Sequence, residues 1–382
     1  MPYLEKMRDF NKAIFLRRLN RFIVECSLNG KIIKAHLPNS GRLMELLIEG
    51  RTLYIHRDNK PERTTQYTTW AVEKEGLPVF LHTFEMNNVA SYLVENSLLD
   101  FFAGYRVSKR EYKVGMSRFD FLLENDTEKL ILEIKSCTHF SENIAMFPDA
   151  ITSRGKRHLL DLARSNYKGA VIFFVHSVKC DYFLPNYHDD LEFSKELYRL
   201  KDKIIIKAYG LTWNKDLSFG EKIKELTIPW ETLKKEAQDR GSYILILRLN
   251  KPKTINIGSL GLFRFKKGYY IYIGSAMKNL TSRIRRHQRR NKKSFWHIDF
   301  LREKADFFGV LPIRSRDNLE CAIAQDIKAI TDWKVDKFGS SDCNCSSHLY
   351  GMRENPFENV AFIKLLTDYR MNRLSKQLLN LV

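Results

Sequence analysis

The sequence predicts a multidomain α/β protein: a small β-barrel or sandwich, then two units in which strands alternate with helices. Three observations carry that expectation. Apolar residues recur at period two up to about residue 83 and at mixed periods afterwards. Turn-prone pairs such as Asn29-Gly30 separate the early runs. The 382 residues, 44% hydrophobic and 29% charged, are enough for more than one core.

The first region, 1–83, holds short alternating runs (AIFLRRLNRFIVECSL, KIIKAHL, RTLYIHR, TTWAVEK, VFLHTF), the pattern of closely spaced strands. The turn-rich HLPNSGRL, 36–43, interrupts them and ends near Arg42, a residue suited to phosphate as well as to a structural turn. The second region, 84–236, opens with the helical period of NNVASYLVENSLLDFF, with Glu95 at its centre. A hairpin follows, and then MFPDAITSRGKRHLLDLARS, where Thr152 or Ser153 caps a helix running to about 165. GAVIFFVHSV and KIIIKAYGLTW read as buried strands on either side of the more polar helix SKELYRLKDK, an α/β arrangement. A third region, 241–350, has the strands SYILILRL and YYIYIGSA, a long connection between them, and helices that include ECAIAQDIKAI. Residues 351–382 read as an amphipathic terminal helix.

The hairpin RFDFLLENDTEKLILEIKS, 118–136, carries the first chemistry. With its turn centred on Asp126–Thr127, Phe121 faces Leu132 and Leu123 faces Leu130, and Phe119 is expected to face Ile134 on the same apolar side. The other side pairs Leu122 with Ile131, Arg118 with Lys135, and Asp120 with Glu133. Directly opposed Cβ atoms lie roughly 4.5–5.5 Å apart. Two carboxylates that close repel unless a proton or cation lies between them, and a hard divalent ion with oxygen ligands, Mg²⁺ or Mn²⁺, suits the pair. Lys135 projects from the same face and is placed to polarise an anionic group there. The competing reading is an exposed sheet face whose acids are neutralised by Arg118 and Lys135. Glu95, on the preceding helix, would add a third carboxylate to a metal site.

Charge supplies the context. The formal net charge is +19, which points to a polyanionic partner, nucleic acid before anionic membrane. No apolar run approaches the roughly 18 residues of a membrane span, and MPYLEKMRDFNK lacks the apolar core of a signal peptide. Six cysteines, mostly isolated, make no disulfide framework. The expectation is a cytoplasmic protein with no membrane partner.

Basic residues gather in two places. Arg154, Lys156, Arg157 and His158 crowd the first turns of the helix after MFPDA, against the helix dipole, which makes sense if an anion docks there. RIRRHQRRNKK, 283–293, holds seven Lys or Arg and no acid, and as a helix it would align Arg283, His287 and Arg290, with Arg286 beside Arg290. In FGSSDCNCSSHL, 338–349, Cys343, Cys345 and His348 are candidate zinc ligands. The C-x-C spacing and the lack of a fourth ligand make a packed turn the favoured expectation, and Asn344 or His348 could instead complete a catalytic pocket.

HLPNSGRL, SRFDFLL, LEIKS and MFPDAITSRGKRHL, in that order, resemble the sugar fermentation stimulation protein family. The resemblance covers residues 1–235 and implies an OB-like barrel followed by a restriction-endonuclease-like core of the PD-(D/E)xK type. Asp120, Glu133 and Lys135 would be its signature, and Glu95 the acid of the preceding helix. Phe119 stands where the motif usually has proline. The family is associated with DNA binding. Residues 241–350 resemble GIY-YIG endonuclease domains of an uncharacterised archaeal-type branch, through GSY (Tyr243), YIG (Tyr272-Ile273-Gly274), Arg283, His287 and Glu320. That resemblance implies that Tyr272 helps activate water, Arg283 neutralises phosphate and Glu320 holds a divalent ion, assisted by Tyr243 and His287. GSY replaces GIY here, and the gap between the two tyrosines is longer than usual.

Together these readings predict a DNA-binding nuclease dependent on Mg²⁺ or Mn²⁺. Asp120, Glu133, Lys135, Tyr243, Tyr272, Arg283, His287 and Glu320 would be catalytic, and Asp120, Glu133, Glu95 and Glu320 would hold metal. Arg42, Arg118, Arg154, Lys156, Arg157, His158, Arg286 and Arg290 would contact DNA. The alternative is a DNA-binding regulator that uses both nuclease-like folds as scaffolds, and RNA stays open as a substrate.

Overall fold

The computed structural model describes residues 10–58 and 65–379. The chain divides into two compact units. One comprises residues up to Asn186, Glu192–Trp230 and the segment from Gln377; the other comprises Tyr187–Leu191 and Glu231–Lys376. No described helix is long and apolar enough to cross a membrane.

The first unit begins with six strands, β1 (Phe10–Asn20), β2 (Ile23–Leu28), β3 (Lys31–His36), β4 (Thr52–Arg57), β5 (Tyr67–Lys74) and β6 (Leu77–Phe80). They form an antiparallel sheet ordered β3-β2-β1-β4-β5-β6. A parallel pairing of Ala35 and His36 in β3 with Tyr67 and Thr68 in β5 closes it into an OB-like barrel. Alternation fills the barrel: Ala13, Phe15, Val24, Cys26, Ala35 and Leu53 all point inward and are buried. Arg18 organises the turn-rich loop beyond β3, its guanidinium donating to the carbonyls of Gly41 (2.6 Å), Arg42 (2.7 Å) and Asn39 (3.2 Å).

Helix α1 (Glu85–Glu95) follows, and then a six-stranded sheet of β7 (Arg106–Val114), β8 (Ser117–Glu124), β9 (Lys129–Cys137), β12 (Lys168–Val175), β14 (Ile205–Trp213) and β15 (Phe219–Glu225). Its order is β15-β14-β12-β9-β8-β7. The pairs β9–β12 and β12–β14 are parallel; the pairs toward either edge are antiparallel. β10 (Phe140–Ser141), β11 (Ile144–Phe147) and β13 (Tyr182–Pro185) make a small side sheet, and α2 (Ser153–Arg164) crosses from β9 toward β12. One face of the large sheet packs Phe121, Leu123, Leu130 and Leu132 against Val89, Ala90, Leu93 and Val94 of α1. The other packs Leu122, Ile131, Val171 and Phe173 with Leu159 and Leu162 of α2. A sheet covered on both faces explains the near-continuous apolar run of β12.

Helix α1 ends at Glu95, which corrects the expectation that Glu95 is central. Ser97 has φ +53°, and amides bond from Leu98 to Leu93 (2.9 Å) and from Ser97 to Val94 (3.0 Å), the Schellman pattern that terminates a helix. The Thr152 cap does form, its hydroxyl accepting the Gly155 amide at 3.0 Å.

α3 (Leu191–Arg199) and α4 (Trp230–Glu236) precede the second sheet. Its strands are β16 (Gly241–Leu249), β19 (Gly268–Ala276), β20 (Asp306–Arg314), β21 (Trp333–Lys334) and β22 (Leu349–Met352), ordered β20-β16-β19-β22-β21 and antiparallel throughout. The long connection between the two tyrosine strands is a separate hairpin, β17 (Lys253–Asn256) with β18 (Leu262–Phe265). α5 (Leu280–Gln288), α6 (His297–Lys304) and α7 (Glu320–Ala329) complete this α/β unit. α5 stops at Gln288 because Arg289 is extended, so Arg290 does not continue the helical face of Arg283 and His287. The terminal helix is interrupted as well: α8 (Val360–Thr367) passes through a π turn, Asp368–Asn372, into α9 (Arg373–Leu379). Residues 380–382 of the expected helix lie outside the described residues. Tyr187–Leu191 joins this unit through His188, whose Nδ1 accepts the Arg314 amide at 2.9 Å while its Nε2 donates to the Arg370 carbonyl at 3.1 Å.

In this sheet Trp333 lies across Gly351, where a Cβ would collide with the indole. Gly351→Ala should therefore cost about 1–3 kcal/mol through overpacking, read as a lower denaturant midpoint; an unchanged midpoint would mean that the indole moves aside freely.

Candidate functional site

The predicted hairpin register holds at its turn end. Phe121 pairs with Leu132, Leu122 with Ile131 and Leu123 with Leu130, and the Asn125 amide bonds to the Glu128 carbonyl at 3.1 Å across the turn. One step further the ladder changes. The Ile134 amide donates to the carboxylate Oδ2 of Asp120 at 2.7 Å, so a side chain takes a donor that a strand would offer to backbone. Phe119 then leaves the face of Phe121 and Leu123 and joins the opposite core, its ring 5.3 Å from that of His158. The expected wholly apolar face of Phe119, Phe121 and Leu123 is thus broken at Asp120.

The two carboxylates are held from opposite sides of the sheet. Asn87 of α1 donates to Asp120 Oδ1 at 2.7 Å. Glu133 Oε1 takes the Lys135 ammonium and, at 2.7 Å, Nδ1 of His158 on α2. Arg154 Nε donates to His158 Nε2 at 3.3 Å, which assigns the remaining proton to Nδ1 and makes His158 a donor to Glu133. Both acids line a cavity of about 440 Å³, together with Lys135, Asn87, Arg154 and loop residues Asn39–Gly41.

Electrostatics separates the pair. Burial, and then the nearby Glu133 charge, push the Asp120 carboxyl up to about 6. Burial acts on Glu133 in the same direction, but Lys135 and His158 outweigh it and hold that carboxyl below its ordinary value. Glu133 Oε2 is buried with no hydrogen-bond partner among the described residues. An unpartnered buried carboxylate oxygen beside a second carboxylate is an all-oxygen donor set, which suits a hard divalent ion.

Glu95 does not join them. It is exposed at the end of α1, about 12 Å along the axis from Asn87, the helix position that does face Asp120. His158 is also corrected: it is buried behind Glu133 instead of presented to a nucleic acid. Of the other expected phosphate contacts, Arg42, Arg154 and Arg157 are exposed; Arg118 is exposed 3.6 Å from Glu111, and Lys156 pairs with Glu192 at 3.0 Å.

The sequence pattern does not reveal the roles of Asn87 and Asp149 or the hydrogen-bonded chain that ends at Ser136, next to Lys135 in sequence. Asp149, inside the MFPDAITSR segment, accepts the Leu43 amide at 3.2 Å and fills the space that a Cβ on Gly41 would need. Trp213 Nε1 donates to His176 Nδ1 at 3.0 Å, and His176 Nε2 reaches Ser136 Oγ at 2.8 Å. The turn-rich segments NSG and PDA, inside HLPNSGRL and MFPDAITSRGKRHL, were the available signal for Asp149.

In the second unit, β16 and β19 place Tyr243 opposite Gly274 and Leu245 opposite Tyr272. Gly274 has no Cβ because the Tyr243 ring occupies that space. The Tyr243 hydroxyl meets His287 Nε2 at 2.8 Å. Burial and the nearby Lys292 charge push His287 down to about 3, so it is neutral at physiological pH. The two tyrosine rings lie 6.4 Å apart, and the Arg283 guanidinium stacks 4.1 Å over Trp296. Glu320 Oε1 meets His348 Nδ1 at 2.9 Å, and Ser275 Oγ donates to Oε2. Burial, Tyr243 and Glu320 all raise the Tyr272 hydroxyl, while Arg283 opposes them, which places these groups within electrostatic reach of one another. Arg286 is corrected from a phosphate contact: it is bidentate to buried Asp299 at 2.9 and 2.8 Å. Arg290 is exposed and donates to the Glu303 carbonyl at 3.0 Å. Cys343 and Cys345 lie with His348 and a fourth residue, Cys321 of α7.

Comparison with known proteins agrees with this architecture. Residues 16–81 match the SfsA N-terminal OB domain, 85–216 the sugar fermentation stimulation protein RE domain, and 242–370 a domain of unknown function, DUF123. A sugar fermentation stimulation protein homolog of Methanothermobacter thermautotrophicus is 37% identical over 191 residues, covering 49% of this chain and 80% of the relative. The chain belongs to the sugar fermentation stimulation protein family. A homolog from Pyrobaculum arsenaticum is 39% identical over 189 residues, 48% of this chain and 80% of its own. The solved structure of Pyrococcus furiosus SfsA in complex with Ca²⁺ superposes with a TM-score of 0.53 at 29% identity, covering 58% of this chain and 96% of that one.

The Asp120 shift has a stability consequence with a definite sign. Between its ordinary value of 3.8 and about 6, the folded metal-free protein binds a proton that the unfolded chain has released. Stability from this group therefore falls as pH rises through that window, by about 3 kcal/mol at its end. Asp120→Asn should raise the melting temperature of chelator-treated protein at about pH 8 and leave it nearly unchanged at about pH 4. Equal destabilisation at both pH values would contradict the shift.

Proposed function

We propose that this protein is a DNA-binding, divalent-metal-dependent nuclease that hydrolyses phosphodiester bonds. The observation that carries the reading is Glu133 Oε2, a buried carboxylate oxygen with no partner, in a cavity shared with Asp120 and Lys135. Asp120 and Glu133 would hold Mg²⁺ or Mn²⁺; the Pyrococcus furiosus relative was solved with Ca²⁺, another hard ion that takes oxygen ligands. When bound, such an ion supplies charge neutralisation at the phosphate and acidifies a coordinated water.

The chain's own residues do the rest. Asn87 and the Ile134 amide fix both oxygens of Asp120. His158 donates to Glu133 from behind and sets its rotamer, leaving Oε2 directed away from the histidine contact. Lys135 is partly exposed and would leave Glu133 to meet the developing phosphorane charge. Arg154 lines the same cavity, and exposed Arg42 adjoins the loop that does, so both would guide the DNA backbone toward it.

In the second unit the same class of reaction is supported by the cluster of Tyr243, Tyr272, Arg283, His287 and Glu320. Neutral His287 accepts from the Tyr243 hydroxyl, Arg283 would neutralise phosphate, and Glu320 would hold a divalent ion. The rival reading, a DNA binder without turnover, draws on the Lys135–Glu133 ion pair, which neutralises that acid without metal.

Cleavage of supercoiled plasmid, single strands and branched DNA in Mg²⁺ or Mn²⁺ separates the two. Asp120→Ala and Glu133→Ala should each lower cleavage at least about a hundredfold and keep or raise DNA affinity. Tyr272→Phe reports on the second cluster. Unchanged cleavage in all three variants, with a salt slope of binding indifferent to EDTA, would leave the binder.

A further inference from the structure

Next to Glu320 of the second cluster, one group of side chains converges that the proposed chemistry leaves unused. The ligand atoms of Cys321, Cys343, Cys345 and His348 all lie within 4.8 Å of one another. Among the described residues this is the one cluster of three or more potential metal ligands. The four residues come from separate places: Cys321 from the first turn of α7, Cys343 and Cys345 from a loop, and His348 from the residue before β22. Spacing alone therefore misses the set, since Cys321 precedes the C-x-C by more than twenty positions.

We propose that these four residues bind a structural Zn²⁺, and that the ion, through His348, holds Glu320 in place. Three sulfurs and one imidazole nitrogen make a closed tetrahedral set of the structural type. A tetrahedron with zinc–sulfur bonds of about 2.3 Å puts its ligand atoms about 3.8 Å apart, slightly less on a nitrogen edge. Cys343 Sγ and His348 Nε2 lie 3.4 Å apart.

The histidine is already prepared for the part. Its Nδ1 meets the Glu320 carboxylate at 2.9 Å, which assigns a proton to Nδ1 and leaves the Nε2 lone pair facing the sulfurs. A ligating histidine that donates its other nitrogen to a carboxylate is the common outer-shell arrangement at metal sites. The loop supplies a second, independent reason. Between Phe338 and Ser347, both buried, none of residues 339–346 is buried, so no apolar core orders GSSDCNCS. Backbone bonds close the loop at its base, from His348 to the Phe338 carbonyl (2.8 Å) and from Lys337 to that of Ser346 (2.9 Å). A metal tying the loop apex to α7 does the ordering that hydrophobic burial does elsewhere. Binding replaces three S–H bonds with three zinc–thiolate bonds and releases three protons, so affinity rises with pH.

Metal occupancy stands apart from the nuclease reading; only the consequence for Glu320 rests on it. The test uses the full chain, reduced and purified without chelator. Elemental analysis should find about one zinc per chain. Cobalt substitution should give thiolate-to-metal charge-transfer and tetrahedral d–d bands, a readout that needs no variant to fold. Cys321→Ser and Cys345→Ser should lose the zinc, while Cys26→Ala, in the other unit, keeps it. Glu320→Gln should retain zinc with affinity weakened about tenfold or more. Zinc far below one equivalent in reduced protein supplied with the metal, or zinc fully retained in the Cys321→Ser variant, overturns the site. Unchanged zinc affinity in Glu320→Gln overturns the link to Glu320. Absence of cleavage in zinc-loaded protein bears on the nuclease reading and leaves the site standing.

Discussion

The hydrogen bond from the Ile134 amide to the Asp120 carboxylate governs the geometry of the first unit's site. It ends the β8–β9 ladder one step short of the acids, turns Phe119 into the opposite core, and sends Asp120 toward α1 while Glu133 turns toward α2. Two carboxylates forced into a regular cross-strand pair would repel at close range and share one environment. Here each has its own supporting helix, and their proton affinities are driven apart. The result is a pair of acids that stays unequal without a cation and that leaves, among the described residues, the buried Glu133 Oε2 without a hydrogen-bond partner.

The second unit solves a related problem with rings instead of ladders. Gly274 makes room for Tyr243, and that hydroxyl engages a histidine kept neutral by burial. The positive charge of α5 is only partly free. Arg286 and Lys292 are committed to Asp299, at 2.8 and 2.7 Å, which fixes the α5–α6 corner. Arg283 instead lies on the Trp296 ring, where the cation is oriented without being neutralised. A net charge of +19 thus overstates the cations available to a polyanion, because some hold the fold.

The fold was legible in the sequence wherever periodicity acted locally. Phe121–Leu123 against Leu130–Leu132, the Thr152 cap and the strands of the barrel all follow from patterns within a few residues. Glu95 was misplaced because Ser97, in left-handed geometry just beyond Asn96, stops the helix, while the apolar pattern runs on past it. His158 read as basic surface because a sequence does not tell a solvated imidazole from one turned toward a buried carboxylate. Asn87 was invisible for a related reason: neutral amides carry no charge signal, and its value lies only in the 2.7 Å contact. Cys321 belongs to the same class, since the fold and not the spacing brings it to Cys343 and Cys345.

The proposed nuclease site requires that Glu133 Oε2 and Asp120 together receive a hard divalent cation. Crystals grown with Mn²⁺ and measured for anomalous scattering test this most directly. The account predicts a peak bonded at roughly 2.1 Å to Glu133 Oε2 and to an Asp120 oxygen, with the Asn87 and Ile134 contacts retained. A map in which Oε2 meets a protein donor or an ordered water, with no anomalous density between the two acids, would contradict it.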